Sequence, residues 1–109
     1  MLAPFRAAIA KGVDSVMTAH ISVPALDSGD LPATLSPAIL TKLLREELGF
    51  RGLIVTDAMD MGAIVKGYGP ADASVRAIEA GADVVLMPPD PEATVNAILL
   101  AVRHGRISQ

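Results

Sequence analysis

A helix end, a glycine and a short apolar strand recur three times along this chain, and that repeat restricts what the chain can fold into. Ala8-Ile9-Ala10-Lys11-Gly12-Val13-Asp14-Ser15-Val16-Met17 echoes Ala77-Ile78-Glu79-Ala80-Gly81-Ala82-Asp83-Val84-Val85-Leu86. Glu47-Leu48-Gly49-Phe50-Arg51-Gly52, followed by Leu53-Ile54-Val55-Thr56, has the same logic. Glycine closes a helix because it enters the left-handed region without a Cβ penalty. The pattern predicts parallel strands near residues 14–18, 53–56 and 83–87. Their separation, roughly 30–40 residues, is that of βα units in a parallel sheet.

Helices fill the intervals. Ser36-Pro37 reads as an N-cap and a first-turn proline. Behind it, Ile39, Leu40, Leu43, Leu44 and Leu48 form an apolar stripe, opposed by Lys42, Arg45, Glu46 and Glu47. A second helix is expected over 71–80. A third is expected from Pro91 or Glu92, with Val95, Ile98, Leu99 and Val102 turned inward. The chain opens on a helix tail, residues 3–11, and closes on the helix end His104-Gly105-Arg106-Ile107. No linker interrupts this α/β order, so residues 1–109 read as one unit. Periodicity leaves two architectures open: a small open sheet, or three-eighths of a (β/α)8 barrel, which needs ~250 residues.

Composition agrees with either. Hydrophobic residues make up 51% of the chain, yet it has two Phe, one Tyr and no Trp. An aliphatic core of this kind suits buried parallel strands under Ala/Leu helices. The net charge of −3, without a Lys/Arg cluster, disfavours a nucleic-acid partner. With no cysteine there are neither disulfides nor thiolate metal sites, and the compartment stays open. No apolar run approaches ~20 residues, so no membrane span is expected. Met1-Leu2-Ala3-Pro4-Phe5-Arg6 does not read as a signal peptide.

In parallel α/β proteins, functional groups gather at the carboxyl ends of strands. Here those ends carry Thr18-Ala19-His20, Thr56-Asp57 and Met87-Pro88-Pro89-Asp90. The long loops 21–35 and 58–70 follow the first two. Asp57 sits at the tip of a buried strand, where rigid backbone aims a carboxylate. That suits a nucleophile or general base; capping the next loop is the plainer role. His20, at the corresponding tip, either contacts substrate or packs beneath the rim against backbone. Asp60, three residues on, either pairs with the Asp57 carboxylate or, more plainly, is solvated or N-capping; Asp14 and Asp83 read as turn formers at the strands' amino ends. Met59, Met61 and Met87 either line an apolar pocket wall or pack in the core. No phosphate-binding loop, nucleophile elbow or metal-ligand spacing is present, so neither a cofactor nor a metal is expected. Pro88-Pro89-Asp90-Pro91 lacks glycine and offers few N–H donors, which argues against a phosphate-handling barrel.

The segment Gly52-Leu53-Ile54-Val55-Thr56-Asp57-Ala58-Met59-Asp60-Met61 resembles the nucleophile segment of glycoside hydrolase family 3, in the bacterial β-N-acetylhexosaminidase branch. The flanks agree in order: Val16-Met17-Thr18-Ala19-His20, Pro24-Ala25-Leu26-Asp27, Pro32-Ala33-Thr34-Leu35-Ser36 and Ala80-Gly81-Ala82-Asp83. The resemblance implies a partial TIM-type barrel, roughly its sixth to eighth strands, and so the C-terminal third of the catalytic domain. It implies Asp57 as the catalytic nucleophile of a retaining hydrolase for terminal β-linked N-acetylglucosamine. Position near the strand tips, not the resemblance, puts His20 and Met61 on the substrate side. The branch draws its acid/base from a Lys-His-Phe-Pro-Gly-His-Gly type stretch, and this chain has none.

A carbohydrate, such as a muropeptide, is thus the expected partner of the complete enzyme. The isolated chain is expected to be inactive, and to associate with itself or with the missing barrel portion through its open edges. The competing expectation is a non-catalytic sugar-binding or interaction module derived from such an enzyme.

Overall fold

The computed structural model describes residues 2–108. Strands β1 (Ser15–Met17) and β2 (Leu53–Val55) pair in parallel, with Ser15 opposite Leu53, Val16 opposite Ile54 and Met17 opposite Val55. Alternation along the strands sends Val16 and Ile54 to the helical side, where Ile54 is fully buried. Met17 and Leu53 stand on the other face, 56% and 53% exposed.

The third expected strand, 83–87, is reduced to one parallel bridge between Val55 and Val84. The Asp83 N–H donates to Ile54 O at 2.8 Å, and the Thr56 N–H to Val84 O at 3.0 Å. The ladder then changes character, because the Leu86 N–H donates to the Thr56 side-chain oxygen at 2.9 Å. Met87 takes φ 48°, left-handed backbone that ends the extended run.

Around this sheet lie helices α1 (Ala3–Ala10), a π-helix (Ala38–Glu47), the one-turn α2 (Gly62–Val65), α3 (Pro70–Ala80) and α4 (Pro91–Arg103). The expected second helix is α3 and the third is α4. The helix after Ser36 is wound more widely than an α-helix, and the Leu48 N–H donates to Leu43 O, five residues back. Its apolar stripe nevertheless faces the core, with Leu40 and Leu44 buried. The Ser36 hydroxyl oxygen caps it by accepting the Ile39 N–H at 3.2 Å. Leu40, Leu44, Phe50, Ile54, Met59, Ile64 and the alanines Ala73, Ala77 and Ala80 form the core.

Helix α4 turns partly away from the expected orientation: Ile98 and Val102 are half-buried, but Val95 and Leu99 are not. Thr94 and Ala101 are its buried residues, whereas Val95 and Leu99 are 57% and 49% exposed. The reason is its partner. Helix α3 presents alanines, and two helices approach closely where small side chains meet. The larger residues of α4 are left outside. Beyond α4, Arg106 reaches back to Glu79 of α3 at 2.8 Å.

Gly12, Gly49 and Gly81, which close the helices ahead of the strands, adopt φ of 83°, 70° and 126°. The turn into β2 is held by two further devices. A Cβ on Gly52 would lie 2.2 Å from the Asp14 carbonyl oxygen and 2.7 Å from the Phe50 ring. Arg45 donates to the carbonyls of Phe50 and Gly52 and to the Asp83 carboxylate, which itself accepts the Ile54 N–H. Asp83 therefore joins two strand beginnings rather than merely forming a turn. Gly52→Ala is expected to destabilise the chain by about 3 kcal/mol, since the clash is with backbone; urea denaturation measures it.

Candidate active site

The strand tips are stitched together by buried hydroxyls. Thr18, which follows β1, donates its N–H to Val55 O at 2.8 Å. Its side-chain oxygen lies 2.7 Å from that of Thr34, which is fully buried. The loop after β1 folds back to deliver Thr34: Ser22 and Pro32 form an antiparallel bridge, and the Ala33 N–H donates to Ile21 O at 2.8 Å. The long loop is thus a structured flap over the tip of β1.

His20 sits between this flap and the loop after β2. Its Nδ1 lies 2.8 Å from Thr34 Oγ1 and its Nε2 lies 2.8 Å from the Ala58 carbonyl oxygen. The half-buried ring therefore reaches backbone one residue beyond Asp57, so the structure brings two of the three expected site residues into one constellation. Asp57 is half-buried, and its Oδ1 accepts the Ala58 N–H at 2.8 Å. Asp57 Oδ2 accepts no hydrogen bond among the described residues. A carboxylate with one oxygen anchored and one open can attack an electrophilic carbon or accept a proton.

Met61 lies farther along, at the N-cap position of α2, and is 43% exposed. Met87 is also exposed, whereas Met59 is fully buried in the core. The three methionines therefore divide: Met59 packs, while Met61 and Met87 present apolar surface at the rim. Asp60 is exposed. Among the described residues, no group of three acidic or histidine side chains is placed to hold a metal ion.

Sequence reasoning did not find Thr34 or the pairing of Asp27 with Ser36. The Ser36 hydroxyl donates to Asp27 Oδ2, while Asp27 Oδ1 accepts the Gly29 N–H at 2.9 Å. The Ser36 bond, then the Gly29 bond, hold the Asp27 carboxyl below the usual carboxylate range. The signal available in the sequence was Thr18 and Thr56 at equivalent strand ends; nothing marked their partners, Thr34 in a single 3-10 turn (Ala33–Leu35) and the Leu86 N–H.

Residues 1–109 match the glycosyl hydrolase family 3 N-terminal domain. The chain belongs to glycoside hydrolase family 3, and its parallel βα units match part of that family's barrel domain. Several of its relatives are β-hexosaminidases. It is 40% identical over 103 residues to a β-hexosaminidase of Nitrosospira multiformis, covering 94% of this chain and 28% of that protein. It is 46% identical over 83 residues to β-hexosaminidase A of Pseudoalteromonas piscicida, covering 67% of this chain and 14% of that one. The structure of a family 3 β-N-acetylglucosaminidase from Paenibacillus sp. str. FPU-7 superposes with a TM-score of 0.95 at 51% identity, covering 99% of this chain and 21% of that chain. The chain thus spans less than a third of the length of these relatives.

Because the Asp27 carboxyl is held low, its ionised form stabilises the fold above the unfolded carboxylate pKa of ~3.9, and that contribution is lost as pH falls through the lower folded value. Asp27→Asn is therefore expected to be less stable than the native chain near neutrality, with the gap closing under acid. Urea titrations of both proteins across this range measure the gap.

Proposed function

We propose that this chain is the nucleophile-bearing part of a retaining glycosidase that removes terminal β-linked N-acetylglucosamine. The observation that carries it is the placement of Asp57: a strand-tip carboxylate with one oxygen anchored and one open, inside a segment aligned with a β-N-acetylglucosaminidase at 51% identity. An Asp57 lone pair forms a bond to the anomeric carbon. The glycosidic C–O bond breaks, and its electron pair leaves with the aglycone oxygen, which takes a proton from a general acid. Water then attacks the same carbon, gives its proton to the conjugate base of that acid and releases Asp57 as carboxylate, so two inversions give net retention.

The general acid comes from outside these residues in this reading. The acid of a retaining pair lies ~5 Å from the nucleophile. His20 has both ring nitrogens engaged within the protein, and Asp60 is exposed. Met61, exposed near the loop after β2, supplies apolar surface against the sugar. We place the chain in the last third of the barrel, after the segment that carries the acid.

Apolar surface supports association with the rest of such a barrel, or with a second copy. Met17 and Leu53 are exposed on one sheet face, and Val95, Leu99 and Leu100 on α4. An apolar groove of about 300 Å³ opens between α1 and the π-helix, lined by Phe5, Ile21, Val23, Ile39 and Leu43 among others. Sedimentation of the isolated chain is expected to show self-association; a compact, stable monomer would refute that part of the proposal.

The catalytic reading is tested in a chimera. Residues 1–109 replace the matching segment of the Paenibacillus β-N-acetylglucosaminidase, and a chromogenic N-acetylglucosaminide is the substrate. The chimera is expected to turn over. Asp57→Ala is expected to lower kcat by roughly 10⁴-fold or more. Substantial turnover in that variant would remove Asp57 from the role. Sugar binding with no turnover in any form would favour a non-catalytic carbohydrate module.

A further inference from the structure

We infer that His20 is a positioning residue that aims the Asp57 carboxylate through Ala58, and that Oδ2 is the attacking oxygen. The inference rests on Asp57 being the nucleophile and adds a residue and an atom to that reading.

The partners fix the arrangement. The Ala58 carbonyl can only accept, so His20 Nε2 carries the hydrogen of their 2.8 Å bond. In the neutral ring Nδ1 is then an acceptor, and the Thr34 hydroxyl donates to it across 2.8 Å. With its proton directed to His20, Thr34 accepts from Thr18 across 2.7 Å. Thr34 is fully buried and Thr18 nearly so, which shields these bonds from competing water. The hydrogen bonds therefore run in one direction, Thr18 to Thr34 to His20 to Ala58.

Ala58 is the coupling element. Its carbonyl is held by His20 and its N–H by Asp57 Oδ1 at 2.8 Å. A residue gripped at both ends has little freedom, so the carboxylate inherits its orientation from the ring. Oδ1 is committed to the Ala58 N–H, and Oδ2 keeps its lone pairs for the sugar. A near-attack geometry depends on this aim, since small misplacements of a nucleophile are costly. His20 does not hydrogen-bond sugar through its nitrogens in this arrangement, because both are in use.

The test joins two readouts. In nitrogen-15 spectra of the full chain, recorded above the histidine titration range, the His20 ring is expected to show the Nε2–H tautomer. His20→Phe is expected to speed hydrogen exchange at the Ala58 amide about tenfold. His20→Gln, whose side-chain amide can donate to the Ala58 carbonyl, is expected to stay within about threefold of the native rate. In the chimera, His20→Phe is expected to lower kcat by about 10- to 100-fold with KM within about threefold, and His20→Gln to recover most of the loss. Where His20→Phe fails to fold, Thr34→Val removes the Nδ1 partner, leaves the ring in place, and is expected to show a smaller loss in the same direction.

An Nδ1–H tautomer overturns the inference. So does an unchanged kcat in a folded His20→Phe chimera, or a raised KM at constant kcat, which would make His20 a direct sugar ligand. The Asp57→Ala chimera separates the two claims. If it is inactive while His20→Phe is unaffected, the positioning role falls and the nucleophile stands. If it retains turnover, the nucleophile reading falls and takes the positioning role with it.

Discussion

Arg45 holds together the parts on which the sheet depends. Its guanidinium reaches the carbonyls of Phe50 and Gly52 and the carboxylate of Asp83, and it lies over the Phe50 ring at 5.5 Å from the centroid. Asp83 in turn accepts the first buried N–H of β2, that of Ile54. One side chain thereby fixes the π-helix, the turn into β2 and the start of the third extended segment relative to one another. An ion pair with 26% and 40% of its side chains exposed contributes modestly by charge alone. Its importance lies in the backbone groups it satisfies. Unpaired carbonyls at a tight turn are costly, and a planar guanidinium serves several acceptors at once.

That anchor sits at the amino ends of the strands, and the candidate site sits at the other end. The two ends are built from different materials. At the amino end, charge and a close glycine contact set the spacing between elements. At the carboxyl end, Thr56 Oγ1 takes the Leu86 N–H where the ladder stops, and Thr18 and Thr34 share a buried hydroxyl bond beside it. This permits the loops to leave the sheet without stranding buried polar groups. Asp57 emerges where the ladder gives way, so its carboxylate is backed by rigid structure and open in front.

Much of this was legible from the residues. The three glycines announced helix ends because left-handed backbone excludes most other residues. Asp57 was visible because it is an acidic residue at the carboxyl end of a predicted strand, although position alone left loop capping as the plainer role. The face of α4 was not legible. Val95 and Leu99 are large and apolar, and hydrophobic periodicity turns them inward, but the alanine surface of α3 selects Thr94 and Ala101. The wide winding of the helix after Ser36 was equally hidden, because its leucine spacing of four suits an α-helix as well.

The sequence by itself determined the order of the βα units, their parallel pairing and the strand-tip position of Asp57, because these follow from local backbone preference and a period that every residue can report. Tertiary structure alone decided what His20 bonds to. Its two nitrogens are satisfied by Thr34, fourteen residues ahead, and by Ala58, thirty-eight residues ahead. No local pattern encodes contacts of that range; they exist because the flap after β1 and the loop after β2 converge over the same sheet edge.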